Sequence, residues 1–326
     1  MRPDKVVLFI AGDPGGASSL LPVISAWQGP KAVFAYRQAL KIFTDADIEC
    51  LSLNETPVSV TAASERLSDS AASALVAATS VNGVDWEQHF FMAARQLNLP
   101  SLSLLDYWSN YTPRFTLTKP LDAVPDQIAI MDERARDEMI AEGFSASQLV
   151  ITGQPVLDEA RRWRASEVGQ DREGFRQSLG LKPGETAVLF VSQPLREIRI
   201  ATSSTDTSDD EYQALDKLIA ELKSSPTTLL VKMHPREPQD KYARILEGLP
   251  FPARIVDPSI HRWGACIAAD RIYGLSSMLL EEAKVMGCAV DFPDVQTRPP
   301  SVHGDSRRSA CESVIRLIAR LLGVKG

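Results

Sequence analysis

Short apolar runs of β-forming residues alternate with helix-like stretches along the whole chain. In the first half these runs are Val6–Ala11, Ala32–Tyr36, Ile48–Leu53, Ala74–Thr79, Ser101–Leu105, Gln127–Met131 and Leu149–Thr152. Helical patterns fall between them at Ser18–Trp27, Thr61–Ser68, Trp86–Leu97 and Glu133–Glu142. In the last of these the spacing points Met139 and Ile140 inward and puts Gly143 where a C-terminal cap glycine belongs. The second half keeps the rhythm. Strands are expected at Ala187–Val191, Thr228–Met233, Ala253–Val256, Ile267–Tyr273 and Cys288–Asp291, and helices at Asp209–Lys223, Gln239–Glu247, Ser277–Met286 and Ser306–Leu322.

Strands that alternate with helices build βαβ units and parallel sheets, so two successive sets predict an α/β protein of two doubly wound domains. The expected division is 1–153 and 154–326, because Thr-Gly-Gln-Pro leads into a charged helix over Thr152–Ala165. Ligands of open α/β sheets bind beyond the carboxyl ends of the strands. Two such domains facing each other predict a cleft, and the loops after strands are where chemistry belongs. One long polar stretch, Arg199–Glu211, reads either as a surface loop or as a lid.

A chain of 326 residues is long enough for two cores, and its net charge of -7 argues against a general nucleic-acid binder. The basic clusters Arg161-Arg162-Trp163-Arg164 and Arg307-Arg308 read as solvated helix faces. Val6–Ile10 is too short for a signal-peptide core and no stretch reaches the length of a membrane span, so a cytoplasmic protein is expected. Peripheral membrane association stays open. Cys50, Cys266, Cys288 and Cys311 lack paired spacing, and His89, His234, His261 and His303 form no metal-ligand pattern. No metal is expected.

The stretch LLVKMHPRE, Leu229–Glu237, is a buried strand that ends on His234-Pro235 with Arg236 next. A histidine held there can donate to a phosphate or act as an acid or base near neutral pH. The plainer reading is a histidine bonded within its own loop. Further on, IYGLSSMLLEEAKVMGCAV is a strand, then Gly274, then Ser276 and Ser277 opening a helix with Glu281 and Glu282 one turn in. Hydroxyls and free N–H groups at a helix start favour an anion, and a carboxylate one turn later can accept both hydroxyls of a ribose. Alternatively, a serine caps the helix and the glutamates lie on its surface.

Together, HP after one strand and SS-x3-EEA after a later one resemble the carboxyl-terminal domain of GT-B-fold glycosyltransferases. By motif the nearest groups are bacterial sialyl- and polysialyltransferases, CDP-glycerol glycerophosphotransferases and UDP-N-acetylglucosamine 2-epimerases. The resemblance implies that His234, Pro235, Ser276 and Ser277 contact the donor nucleotide and its phosphate, with Arg236 and Gly274 in the same motifs. It implies Glu281 or Glu282 for the ribose. TGQPVLDEA, Thr152–Ala160, is similar to the crossover that opens the second domain in these proteins.

The first half then carries the acceptor side. Asp106-Tyr107-Trp108 follows the strand SLSLL, and Arg114 lies just beyond. Aromatic faces stack on sugar rings while Asp and Arg take hydroxyls or a carboxylate. Trp108 and Tyr111 read equally well as core. Trp86-Glu87-Gln88-His89 opens another helix and makes His89 a further candidate, whereas Glu133 reads as a charge complementing a helix dipole.

The loop GDPGGASS has neither the Lys-Ser/Thr of a P-loop nor the G-x-G-x-x-G spacing of a dinucleotide site. Arg37 after the second strand keeps an NADP oxidoreductase as a minor alternative. The sialyltransferase-like families place an acid-x-Gly motif in this position, and Asp13-Pro14-Gly15 is similar to it. The resemblance makes Asp13 a catalytic base, with Gly15 and Gly16 giving donor and acceptor room against the backbone. Asp13 as a simple helix cap stands beside that reading.

The expected function is a metal-independent glycosyltransferase-like enzyme without a cofactor. It would move a sugar from a cytidine or uridine nucleotide donor to a glycan or small-molecule acceptor in polysaccharide biosynthesis, with Asp13, Asp106 and His234 as catalytic candidates. A UDP-sugar 2-epimerase, in which His234, Asp106 and Glu133 matter more, is one alternative. A non-catalytic GT-B-like subunit of a polysaccharide assembly system is the other.

Overall fold

The structure is a computed structural model that describes residues 5–56, 58–81, 83–202, 210–223, 225–238, 240–293 and 309–323. The chain separates into two compact units, Met1–Asp158 with Val302–Gly326, and Glu159–Ser301. Among the described residues no helix is long and apolar enough to cross a membrane.

The first unit contains β1 (Val6–Ala11), α1 (Pro14–Ala26), β2 (Lys31–Ala35), α2 (Arg37–Asp45), β3 (Leu51–Ser52), α3 (Val60–Asp69) and β4 (Ala72–Ala77). It continues with α4 (Trp86–Gln96), β5 (Ser101–Leu104), α5 (Tyr111–Arg114), β6 (Gln127–Ile130), α6 (Glu133–Ala141) and β7 (Leu149–Ile151). The seven strands form one parallel sheet in the order β3-β2-β1-β4-β5-β6-β7. The central strands are buried on both faces, which explains why they read as continuous apolar runs. Strand order reverses at β1, where β2 leaves on one side and β4 returns on the other, and this switch point is where a ligand crevice is expected.

The helix α7 (Pro155–Ala165) carries the chain into the second unit. That unit holds α8 (Glu167–Gln170), α9 (Arg172–Ser178), β8 (Thr186–Val191), α10 (Leu195–Thr202), α11 (Glu211–Leu222), β9 (Thr227–Lys232) and α12 (Ala243–Glu247). It ends with β10 (Ala253–Ile255), α13 (Arg262–Ala268), β11 (Arg271–Gly274), α14 (Met278–Val285) and β12 (Val290–Asp291). Its parallel sheet runs β10-β9-β8-β11-β12, with the switch at β8.

The chain then returns to the first unit with α15 (Ala310–Leu321), which corrects the expected 154–326 domain. Cys311, Val314, Leu317, Ile318 and Leu322 join the core of β1, α1 and β4, and Cys311 N–H donates to Asp158 Oδ2 at 3.3 Å. An amphipathic helix buries its apolar stripe on whichever core receives it, and linear position does not specify which.

Three local expectations also change. Ile140 is 39% exposed although Met139 is buried. Gly143 does take the left-handed conformation after α6, at φ +100°. Residues 267–268, expected to open a strand, instead close α13, because an apolar run cannot by itself distinguish a buried helix end from a strand. Arg199 lies in α10 and Asp210 caps α11, so the polar stretch is partly helical. Residues 203–209, His303 and Arg307-Arg308 lie outside the described residues.

Candidate functional site

The first unit gathers polar side chains at the carboxyl ends of β1, β2, β4 and β5. Asp106, just after β5, has a carboxylate anchored on one side. Its Oδ1 accepts from Arg114 Nη1 at 2.5 Å and from Thr79 Oγ1 at 3.3 Å. Arg114 Nη1 also donates to Thr79 Oγ1 at 2.7 Å, and Arg114 Nε donates to Ser109 O at 2.9 Å. The Arg114 guanidinium is buried and committed to Asp106, so the structure does not present it for a ligand hydroxyl or carboxylate. Asp106 Oδ2 lies over the first turn of α1, where a Cβ at Gly15 would collide with it. Gly16 fits as closely, since its Cβ would stand 2.6 Å from Ala78 Cβ.

Asp13 is the residue before α1 and has extended backbone. Its side chain makes no cap hydrogen bond to the helix, and Pro14 takes the first helical position instead. Its charge acts on Glu87. Glu87, in the first turn of α4, is fully buried: Oε2 accepts from Tyr36 OH at 2.5 Å and Ser80 Oγ at 2.9 Å. Oε1 is buried with no hydrogen-bond partner among the described residues. Burial, reinforced by the Asp13 charge, pushes the Glu87 carboxyl up to about 7 despite those two donors. Tyr36, Thr79, Ser80 and Glu87 were not among the sequence candidates. Their signal was positional: Tyr36 directly follows β2, Thr79 and Ser80 lie in the loop after β4, and Glu87 is in the first turn of the helix after that loop.

The aromatic candidates are more structural than sugar-facing. Trp108 is buried and donates its indole N–H to both oxygens of Asp132 at 3.0 Å. Asp132 itself caps α6 by accepting from Ala135 N–H at 2.9 Å. Tyr107 is half-buried and meets Trp108 edge-on at 5.5 Å. His89 bonds its own helix through Asp85 O at 2.7 Å.

The second unit brings the HP loop, the end of β8 and the double-serine turn to one switch point, because β9 and β11 both pair with β8. Gln193, after β8, clamps the turn from both sides: its Nε2 donates to Ser276 O at 2.6 Å and its Oε1 accepts Ser276 N–H at 2.8 Å. Gly274 lets β8 and α14 pack closely on the end of β11, since a Cβ there would lie 3.0 Å from Val191 O and 3.2 Å from Leu280. Ser277 is the cap of α14 and accepts from Leu279 N–H at 3.3 Å.

His234 follows β9 with a defined ring orientation. Its Nδ1 accepts Arg236 backbone N–H at 3.1 Å, and the His234 backbone N–H donates to Glu237 Oε2 at 2.6 Å. Burial, with the charges of Arg236, Lys232 and Lys241, pulls the imidazole down to about 4. At neutral pH the ring is therefore uncharged. Pro235 and Arg236 are exposed.

Glu281 and Glu282 are both buried rather than on a helix surface. Glu281 accepts from Lys284 at 2.6 Å, and Glu282 accepts from the Trp263 indole and pairs with Arg262 at 3.1 Å. In this arrangement both carboxylates already have protein partners. A further acidic group, Glu197, Glu211 and Glu237, is drawn together by Lys241, whose Nζ lies 2.9, 2.6 and 2.8 Å from them. The lysine ammonium supplies the positive charge at their centre.

Neither a family profile nor a curated protein matches the sequence. Solved structures do match in fold. The UDP-GlcNAc 2-epimerase of Neisseria meningitidis bound to UDP-GlcNAc aligns over 98% of this chain and 91% of its own, at 13% identity and TM-score 0.67. The Methanocaldococcus jannaschii UDP-GlcNAc 2-epimerase in complex with UDP-GlcNAc and UDP covers 98% and 93%, at 14% identity and TM-score 0.65. A glycosyltransferase of Rickettsia africae covers 98% and 88%, at 12% identity and TM-score 0.62. Identities this low establish architecture alone, and the architecture is the two-domain α/β GT-B fold.

Proposed function

We propose that this protein is an enzyme of nucleotide-activated sugars that holds a uridine-type nucleotide on its second unit and carries out 2-epimerase-like chemistry. The observation that carries the reading is the switch point at β8, where the ends of three neighbouring strands bring His234, the Gln193 clamp and the Ser276-Ser277 turn to one end of the sheet. Neutral N–H donors and a helix start suit a diphosphate better than they suit a neutral ligand. Similar structures hold UDP or UDP-GlcNAc, which favours uridine over cytidine.

The first unit supplies acid–base groups. Asp106, with one oxygen fixed by Arg114 and no hydrogen bond to the other among the described residues, is the preferred base, and Asp13, whose charge acts on Glu87, is the alternative. In an epimerase reaction the base takes the proton from sugar C2 as the C1–O bond to the nucleotide breaks and the diphosphate leaves with the electron pair. Return of a proton to the opposite face and re-addition of the nucleotide invert C2. Holding the diphosphate leaving group is the task His234 and the serine turn suit.

A second reading, glycosyl transfer, is favoured by the likeness to the Rickettsia africae glycosyltransferase. Asp106 or Asp13 would then deprotonate an acceptor hydroxyl. Incubation with UDP-GlcNAc and no acceptor separates the two. Formation of the C2 epimer supports the first reading, whereas an unchanged sugar that is consumed only when an acceptor is added overturns it in favour of the second.

A further inference from the structure

His234 could meet a phosphate in three ways: as an imidazolium, as an Nδ1–H tautomer or as an Nε2–H tautomer. The loop around it selects one. Arg236 N–H points at Nδ1 from 3.1 Å, so Nδ1 must present its lone pair and the ring proton must sit on Nε2. Among the described residues no hydrogen bond is made to Nε2. Protonating Nδ1 would set two N–H donors against each other, in a loop that already carries Lys232, Arg236 and Lys241.

What holds the loop is Glu237. Its Oε2 accepts His234 N–H at 2.6 Å, while Glu237 N–H donates back to His234 O at 2.9 Å, closing a reciprocal turn. The other oxygen, Oε1, accepts from Ser192 Oγ at 2.7 Å and from Lys241 Nζ at 2.8 Å. Ser192 follows β8 and also meets Tyr242 OH at 2.6 Å, so the loop after β9 is tied to the neighbouring strand. The Glu237 side chain is wholly buried and has no access to a ligand.

We propose that Glu237 is a positioning residue that fixes His234 as a neutral Nε2–H donor, so that the HP loop recognises the diphosphate of a nucleotide sugar by hydrogen bonding rather than by charge. This rests on the nucleotide-sugar reading for its ligand but not for its geometry. Lys232, Arg236 and Lys241 are the charged groups that act on the ring, all of them cationic, while the Glu237 carboxylate bonds the backbone N–H of His234, and none of them requires the imidazole to be charged.

Two measurements test it. Long-range nitrogen–proton NMR of histidine-labelled protein at pH 7 reads the tautomer without ligand. The expected result is a protonated Nε2 and a bare Nδ1 at His234; an Nδ1–H tautomer or a rapidly averaged ring overturns the proposal. Calorimetric titration with UDP-GlcNAc, whose diphosphate does not titrate between pH 5.5 and 8, reads the recognition. Affinity is expected to stay within about twofold over that range and to fall about tenfold in Glu237→Ala, and by less in Glu237→Gln, whose single amide oxygen can take the place of Oε2 towards the His234 backbone N–H while its –NH2 is turned to Lys241. A tenfold rise in affinity on acidification through pH 6.5 that disappears in His234→Gln would mean charge recognition and sink the idea. So would a folded Glu237→Ala with unchanged tautomer and affinity. If the wild-type protein binds no UDP-GlcNAc, the nucleotide-sugar reading falls, while the tautomer measurement still decides the geometry.

Discussion

Asp106 and Gly15 are matched to each other: the open oxygen of the carboxylate lies where any side chain at position 15 would stand. The other oxygen is pinned by Arg114 and Thr79, so the carboxylate cannot swing aside without breaking a partly buried ion pair. Gly15→Ala should therefore displace the proposed base and lower turnover about 10²-fold while leaving UDP binding within a few-fold. Asp106→Asn should lower turnover by roughly 10²–10⁴-fold. Steady-state kinetics beside a binding titration checks both. Loss of binding together with turnover would place the nucleotide in the first unit instead.

Glu87 makes the stability of the fold depend on pH in a direction opposite to ordinary acid denaturation. Its folded carboxyl titrates near 7 against an ordinary 4.5. Its contribution is complete below pH 4.5 and is lost as pH rises through 7, a change of up to about 3 kcal/mol. Glu87→Gln keeps an acceptor for Tyr36 and Ser80 but cannot ionise. It should be near neutral at pH 5 and stabilising at pH 8 by denaturant unfolding, whereas parallel pH profiles for the two proteins would show that Glu87 is ionised in the fold.

Lys241 sits among three carboxylates with its own side chain 1% exposed. Replacing it with Met leaves Glu211 and Glu237 buried without their counter-charge, which typically costs about 3–5 kcal/mol. Urea unfolding at pH 8 measures the loss; a value under about 1 kcal/mol would show that the acids are satisfied without the lysine.

The sheets were legible in the sequence because doubly buried parallel strands leave unbroken apolar runs, such as Val6–Ala11, whose boundaries coincide in sequence and structure. The switch-point residues His234, Ser276 and Ser277 were legible for a related reason: they directly follow such runs. Less visible were partners fixed by pairing between distant segments. Gln193 and Ser276 are 83 positions apart, Tyr36 and Glu87 are 51 apart, and nothing local marks either pair. Arg114 and Trp108 show the reverse difficulty. Both residue types suit a sugar site, but only packing reveals that Asp106 and Asp132 already take their polar groups. The placement of α15 depends on which core accepts its apolar face, a choice made in three dimensions.

The central claim, that the nucleotide belongs to the second unit rather than to the glycine-rich loop after β1, is tested most directly by hydrogen–deuterium exchange with and without UDP. Backbone N–H groups that bind phosphate, or lie beside it, exchange more slowly when the ligand is present. The account predicts protection at Ser192–Leu195, Met233–Glu237 and Leu275–Leu280, with Gly12–Ser19 unchanged. Protection confined to Gly12–Ser19, with the three second-unit segments unaffected, would contradict it.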